Sequence, residues 1–133
     1  MVNAGAYSAY KNNSINFASK EQLLLMLLEG AVKYSKIGRQ AILDKNILAA
    51  HENIIKTQNI FYELMATLDK SAGEWAESIF SVYEFITERL VQANMKKDIQ
   101  IMNEVIPLIE EIRNIWTEAY AISKNSNKAV SEY

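Results

Sequence analysis

The chain has 133 residues, with 14 Lys and Arg against 16 Asp and Glu, one His, one Pro and no Cys. That length suits one domain with a single core, and an apolar fraction of 50% is that of a globular protein rather than a disordered or membrane-embedded one. Zero cysteine removes disulfides, thiolate metal sites and Cys nucleophiles, and one histidine removes both a Cys/His zinc site and the paired Glu-x-x-His motifs of di-iron bundles.

A formal net charge of -2 supplies no electrostatic reason for nucleic-acid binding. The first residues lack the charged start and long apolar core of a signal peptide. The longest apolar run, Leu23 to Leu28, is far too short to span a bilayer. These features predict a small cytoplasmic protein, not an enzyme, with no catalytic, metal-binding or cofactor-binding residue.

In chain order, residues 1–18 read as an irregular arm, polar and Asn-rich, with Tyr7, Tyr10, Ile15 and Phe17 as spaced apolar anchors. A first helix is predicted from Ser19, where Ser19 and Gln22 form a capping box, to about Leu43 before the Asp44-Lys45-Asn46 turn. Asn46 caps a second helix to about Leu68. Ser71 and Glu74 form another capping box for a third helix ending near Ala93, with Asn94 as a left-handed cap. Asp98 caps a fourth helix through about Ser123, and the polar residues 124–133 form a flexible tail. Pro107 falls inside that helix and implies either a tolerated bend or a split into two helices. The predicted fold is all-α: an antiparallel four-helix bundle over residues 19–123, preceded by the irregular N-terminal arm.

At about 100° per residue each helix carries more apolar side chains than one core stripe uses. The expected core positions are Leu24, Leu27, Leu28, Ala31 and Ile42 on the first helix, and Ile47, Ile54, Phe61, Met65 and Leu68 on the second. On the third they are Trp75, Ile79, Val82, Tyr83, Ile86, Leu90 and Ala93, and on the fourth Val105, Leu108, Ile112, Ile115 and Ala119. Off these stripes fall Leu25, Met26, Ile37, Leu48, Ile55, Ile60, Phe80, Phe85, Ile99 and Ile106. Helix flanks bury some of these, but a collective excess marks a surface for a partner's amphipathic helix. Tyr7 and Tyr10 either pin the arm to the bundle or lie over a groove from which a partner displaces them. The candidate partner-binding residues are therefore Tyr7, Tyr10, Ile15, Met26, Leu48, Ile55, Ile60, Phe80 and Phe85.

The order of short motifs adds a resemblance. Tyr7-Ser-Ala-Tyr10, Ile15 through Ser19, Met26-Leu27-Leu28-Glu29-Gly30, and Ile54-Ile55-Lys56-Thr57-Gln58-Asn59-Ile60 follow one another at characteristic spacing. Glu63-Leu64, Leu68-Asp69, Tyr83-Glu84-Phe85-Ile86, Arg89-Leu90, Ala93-Asn94, Asp98, Glu104-Val105 and Arg113…Trp116 continue the series. Together they resemble the FliS-type flagellar secretion chaperones from about Tyr7 to Trp116. Departures are Ala6 and Lys20 where the family often has Pro, Leu28 in place of an aromatic residue, and Pro107 inside a helix normally uninterrupted. The resemblance implies a four-helix bundle that binds the disordered C-terminal segment of flagellin wrapped around it, blocks premature polymerisation and delivers the complex to the export gate protein, with the aromatic arm involved in delivery.

Rival readings are weaker. A histidine phosphotransfer domain carries H-x-x-K-G, whereas His51-Glu52-Asn53-Ile54-Ile55-Lys56 lacks Lys and Gly at that spacing. Glu110-Glu111 and Asp98…Glu104 suggest acid/base or metal carboxylates, but adjacent helical positions diverge by about 100° and read as a solvated face. Lys96-Lys97 with Arg89 is too small a basic group for nucleic acid and fits a helix C-terminus or an acidic partner. A generic helical interaction bundle, self-associating through the same apolar excess, remains the alternative.

Overall fold

A computed structural model describes the backbone of residues 20–131 and the side chains of residues 20–125. Four helices follow one another: α1 (Lys20–Leu43), α2 (Ile47–Thr67), α3 (Glu74–Lys96) and α4 (Ile99–Ser131), with a 3-10 turn at Lys70–Ala72 between α2 and α3. α1 packs against α2 and α4, and α3 packs against the same two, while the diagonal pairs make no close backbone approach. Short connections force each neighbour to run antiparallel. Cross-helix contacts confirm the direction, since Arg39 bonds Asn103 and, further back along α1, Glu29 bonds Arg113. The architecture is the predicted all-α four-helix bundle.

The helix ends are set by local chemistry. Asn46 caps α2 as expected, its Oδ1 accepting from the Ala49 N–H at 3.2 Å. Asp98 caps α4 by accepting from the Gln100 and Ile101 N–H groups. The expected box at Ser71 and Glu74 does not form. Ser71 instead lies in the 3-10 turn, where Asp69 accepts from its N–H, and α3 starts after Gly73 with no side-chain cap. Gly73 has φ 142, a conformation that a residue with a Cβ adopts only under strain.

α3 ends at Lys96, and Lys97, not Asn94, takes the left-handed position at φ 50. Lys45 does the same after α1 at φ 58, with the Asn46 N–H reaching back to the Ala41 carbonyl. α4 is uninterrupted through exposed Pro107 and continues beyond Ser123 to Ser131. Ser19 and the arm lie outside the described residues, as do the last two residues.

The core joins Leu28, Ala31 and Val32 of α1, Ile54, Phe61 and Leu64 of α2, Tyr83, Ile86 and Leu90 of α3, and Met102, Val105, Ile106, Ile109 and Ile112 of α4. Phe61 and Tyr83 meet edge to face with centroids 5.8 Å apart, a geometry that adds about 1 kcal/mol beyond burial.

Four stripe assignments fail. Ile47, Trp75 and Ile115 are exposed, and so is Ala119. Ile106, expected outside, is buried, because α4 turns the Met102-Val105-Ile106-Ile109 side inward. Gly38 and Gly30 let α1 and α2 approach closely. A Cβ at Gly38 would stand 3.1 Å from Ile54 Cγ1, and one at Gly30 3.3 Å from Ile60 Cδ1.

Candidate functional site

The outer seam between α2 and α3 carries three of the exposed large apolar residues, Leu48, Tyr62 and Met95. Asn94 of α3 reaches His51 of α2 at 3.0 Å, which fixes the register of the two helices at this end of the bundle. On α2, Leu48, Ile55 and Tyr62 follow at seven-residue spacing on the side that turns toward α3. On α3, Phe80, Val91 and Met95 share the side that turns toward α2. Leu48 is 68% exposed, Tyr62 48% and Met95 80%, with Ile55, Phe80 and Val91 half-buried between them. From Leu48 to Tyr62 this strip is about 21 Å long, the length of a four-turn helix. Lys70 closes one end by standing over the Phe80 ring at 4.3 Å.

A second opening lies at the end of the bundle where α1 begins. Leu23, Leu24 and Leu27 of α1, Leu64 and Leu68 of α2, Tyr83 and Trp116 line a cleft of about 600 Å³. The Trp116 Nε1–H donates to the Tyr83 hydroxyl at 2.9 Å, and Trp75 meets Trp116 edge on at 6.0 Å. Burial pushes the Tyr83 phenol up to about 12, partly opposed by that hydrogen bond. Lys20, where the described chain begins, also lines this cleft.

The predicted docking residues divide accordingly. Leu48, Ile55 and Phe80 lie along the α2–α3 seam by helical position. Phe85 is exposed on the outer face of α3, turned away from that seam, and Met26 is exposed on α1, which makes no close approach to α3. Ile60 faces the other way. It packs on the core beside Gly30, filling the space that the glycine leaves between α1 and α2. Tyr7, Tyr10 and Ile15 lie outside the described residues. Tyr62, Val91 and Met95 were missed, although the seven-residue spacing from Leu48 through Ile55 points directly at Tyr62.

The rival chemistries find no arrangement to support them among the described residues. His51 Nδ1 accepts from the Asn94 amide, which places the ring proton on Nε2; the Asn94 Oδ1 in turn accepts from Lys97 Nζ at 2.8 Å. Glu110 pairs with Lys36, Glu104 with Arg89, and Asp98 caps α4. No group of three His, Asp or Glu side chains among the described residues could hold a metal ion. No helix among them is long and apolar enough to cross a membrane.

The fold defines a class: an antiparallel four-helix bundle with an apolar strip along its α2–α3 seam. The family described as flagellar protein FliS matches residues 2–123, and the chain belongs to it. A flagellar secretion chaperone of Bacillus subtilis (strain 168) is 38% identical over 113 residues, covering 85% of this chain and 84% of that protein. Its namesake in Salmonella typhimurium is 32% identical over 124 residues, covering 89% of this chain and 92% of its own length. The one from Vibrio cholerae is 30% identical over 119 residues, covering 86% and 88%.

Proposed function

We propose that the chain is a cytoplasmic flagellar secretion chaperone that binds the C-terminal segment of flagellin, blocks its premature polymerisation and delivers it to the export gate protein. The observation that carries this reading is the placement of Leu48, Ile55 and Phe80 along one α2–α3 seam within a FliS-family bundle. An incoming segment would lay the apolar side of an amphipathic helix into that seam. The bundle-end cleft around Tyr83 and Trp116 extends the apolar surface available to a wrapping chain. Ordering a disordered segment offsets part of the contact energy, so a large interface remains releasable at the export gate. Tyr7, Tyr10 and Ile15 of the arm would act in capture or handover.

Calorimetric titration of the chain with a peptide of the flagellin C-terminal segment should give a 1:1 complex with a strongly negative heat-capacity change. Leu48→Ser should weaken that complex without changing the midpoint of urea unfolding, because the side chain is exposed in the free protein. Absence of binding at high micromolar peptide would sink the proposal. Concentration-dependent self-association through the same seam, unaffected by the peptide, would favour the homo-oligomeric alternative.

A further inference from the structure

The charges around the α2–α3 seam carry a preference that its apolar residues alone do not. Three ion pairs cross between helices among the described residues: Lys36 and Arg113 pair with Glu110 and Glu29 between α1 and α4, and Arg89 pairs with Glu104 between α3 and α4, and none crosses between α2 and α3. The α2–α3 seam differs. Glu77, Glu84 and Glu88 stand along its α3 edge and Glu52 along its α2 edge. All four are exposed, and none has an ion-pair partner among the described residues. The side-chain link across the seam joins His51 to Asn94, whose Oδ1 also accepts from Lys97 Nζ. Lys70 lies at one end and is drawn onto the Phe80 ring. Gln58, on the same side of α2 between Ile55 and Tyr62, is 6% exposed and keeps its Oε1 without a hydrogen-bond partner among the described residues. The edges therefore offer negative charge around an apolar strip, while Gln58 Oε1 is buried beneath it.

We infer that this seam selects an amphipathic helix whose apolar face is bordered by lysine or arginine, and discriminates against one bordered by acidic residues. The inference rests on the docking role proposed above and adds the chemistry of the occupant. Lys or Arg one turn to either side of the apolar anchors would meet Glu84 and Glu88 on one edge and Glu52 on the other. An acidic helix in the same position would face like charge along both edges, with cations only toward the two ends, Lys70 beside Phe80 and Lys97 beside Asn94. Exposed pairs are individually weak, so the selectivity is cumulative and falls with salt.

The test uses two synthetic helical peptides of about 15 residues, long enough to span the seam, with identical apolar faces and either Lys or Glu at every bordering position. Binding to the full chain is followed by fluorescence anisotropy at about 0.05 M and about 1 M salt. The Lys-bordered peptide should bind on the order of tenfold tighter at low salt, and the gap should close at high salt. The double variant Glu84→Lys, Glu88→Lys should reverse the preference, and Ile55→Ser should weaken both peptides. Equal affinity for the two peptides, with Ile55→Ser still weakening them, would overturn the charge inference while leaving docking at the seam intact. If Ile55→Ser leaves the Lys-bordered peptide unaffected, it binds elsewhere as a polycation, and the inference is overturned. If neither peptide binds, both the inference and the docking reading fall.

Discussion

Tyr83 offers a prediction with a change of sign. Its ring is 1% exposed beneath the bundle-end cleft, and its hydroxyl accepts from Trp116 at 2.9 Å. Replacing it by Phe removes that acceptor and leaves the ring packing with Phe61 in place, so at neutral pH Tyr83→Phe should cost about 1 kcal/mol. At high pH the balance inverts. Burial raises the phenol from 10.0 to about 12, so the folded protein keeps its proton after the unfolded chain has released it. The corresponding stability is complete below pH 10 and is lost as pH rises through 12, at about 1.4 kcal/mol per pH unit. The variant has no such loss. The two stability curves should cross near about pH 11, with the variant the more stable above it. Urea unfolding followed by far-UV circular dichroism between neutral pH and about pH 11.5 measures this directly. A stability difference that stays constant across that range would refute a raised Tyr83.

The two α1 glycines should respond differently to alanine. At Gly38 the new Cβ meets Ile54 Cγ1 at 3.1 Å with the Ile54 backbone nitrogen at 3.6 Å behind it, so α2 must retreat; a net loss of about 1–3 kcal/mol is expected in urea melts despite better helix propensity. At Gly30 the obstacle is the mobile end of Ile60, and Gly30→Ala should stay within about 0.5 kcal/mol of the parent. Lys45→Gly, which relieves an exposed left-handed residue, should raise the unfolding midpoint by an amount equivalent to about 0.5–1 kcal/mol. Lys97→Gly should gain less, because Lys97 Nζ also donates to the Asn94 carbonyl and side chain. Gln58→Leu, which removes a buried acceptor without a partner, should stabilise the bundle by about 1 kcal/mol; a loss in thermal melts would mean that Gln58 is satisfied in solution.

Local rules and global packing divided the work along lines that particular residues make plain. Asn46 and Asp98 were legible as caps because a short acceptor before an apolar-periodic run meets nearby N–H groups whatever the rest of the chain does. Ser71 offered the same signal and was overruled. Asp69 captured its N–H in a 3-10 turn, and Gly73 began α3. Of the seam residues, Leu48, Ile55 and Phe80 could be recognised as apolar side chains off a core stripe. The same rule selected Ile60, which in fact closes a glycine gap, and omitted Tyr62 and Met95.

The all-α class, the number of helices, the antiparallel order and the family follow from the sequence by itself, since periodicity, caps and motif order are properties of neighbouring residues. Which side of each helix faces the core, and therefore which apolar residues share a seam, was decided by tertiary structure. A wide apolar stripe is compatible with several rotations of a helix. Only packing against two specific neighbours, through contacts such as Gly38 on Ile54 and Asn94 on His51, selects one of them.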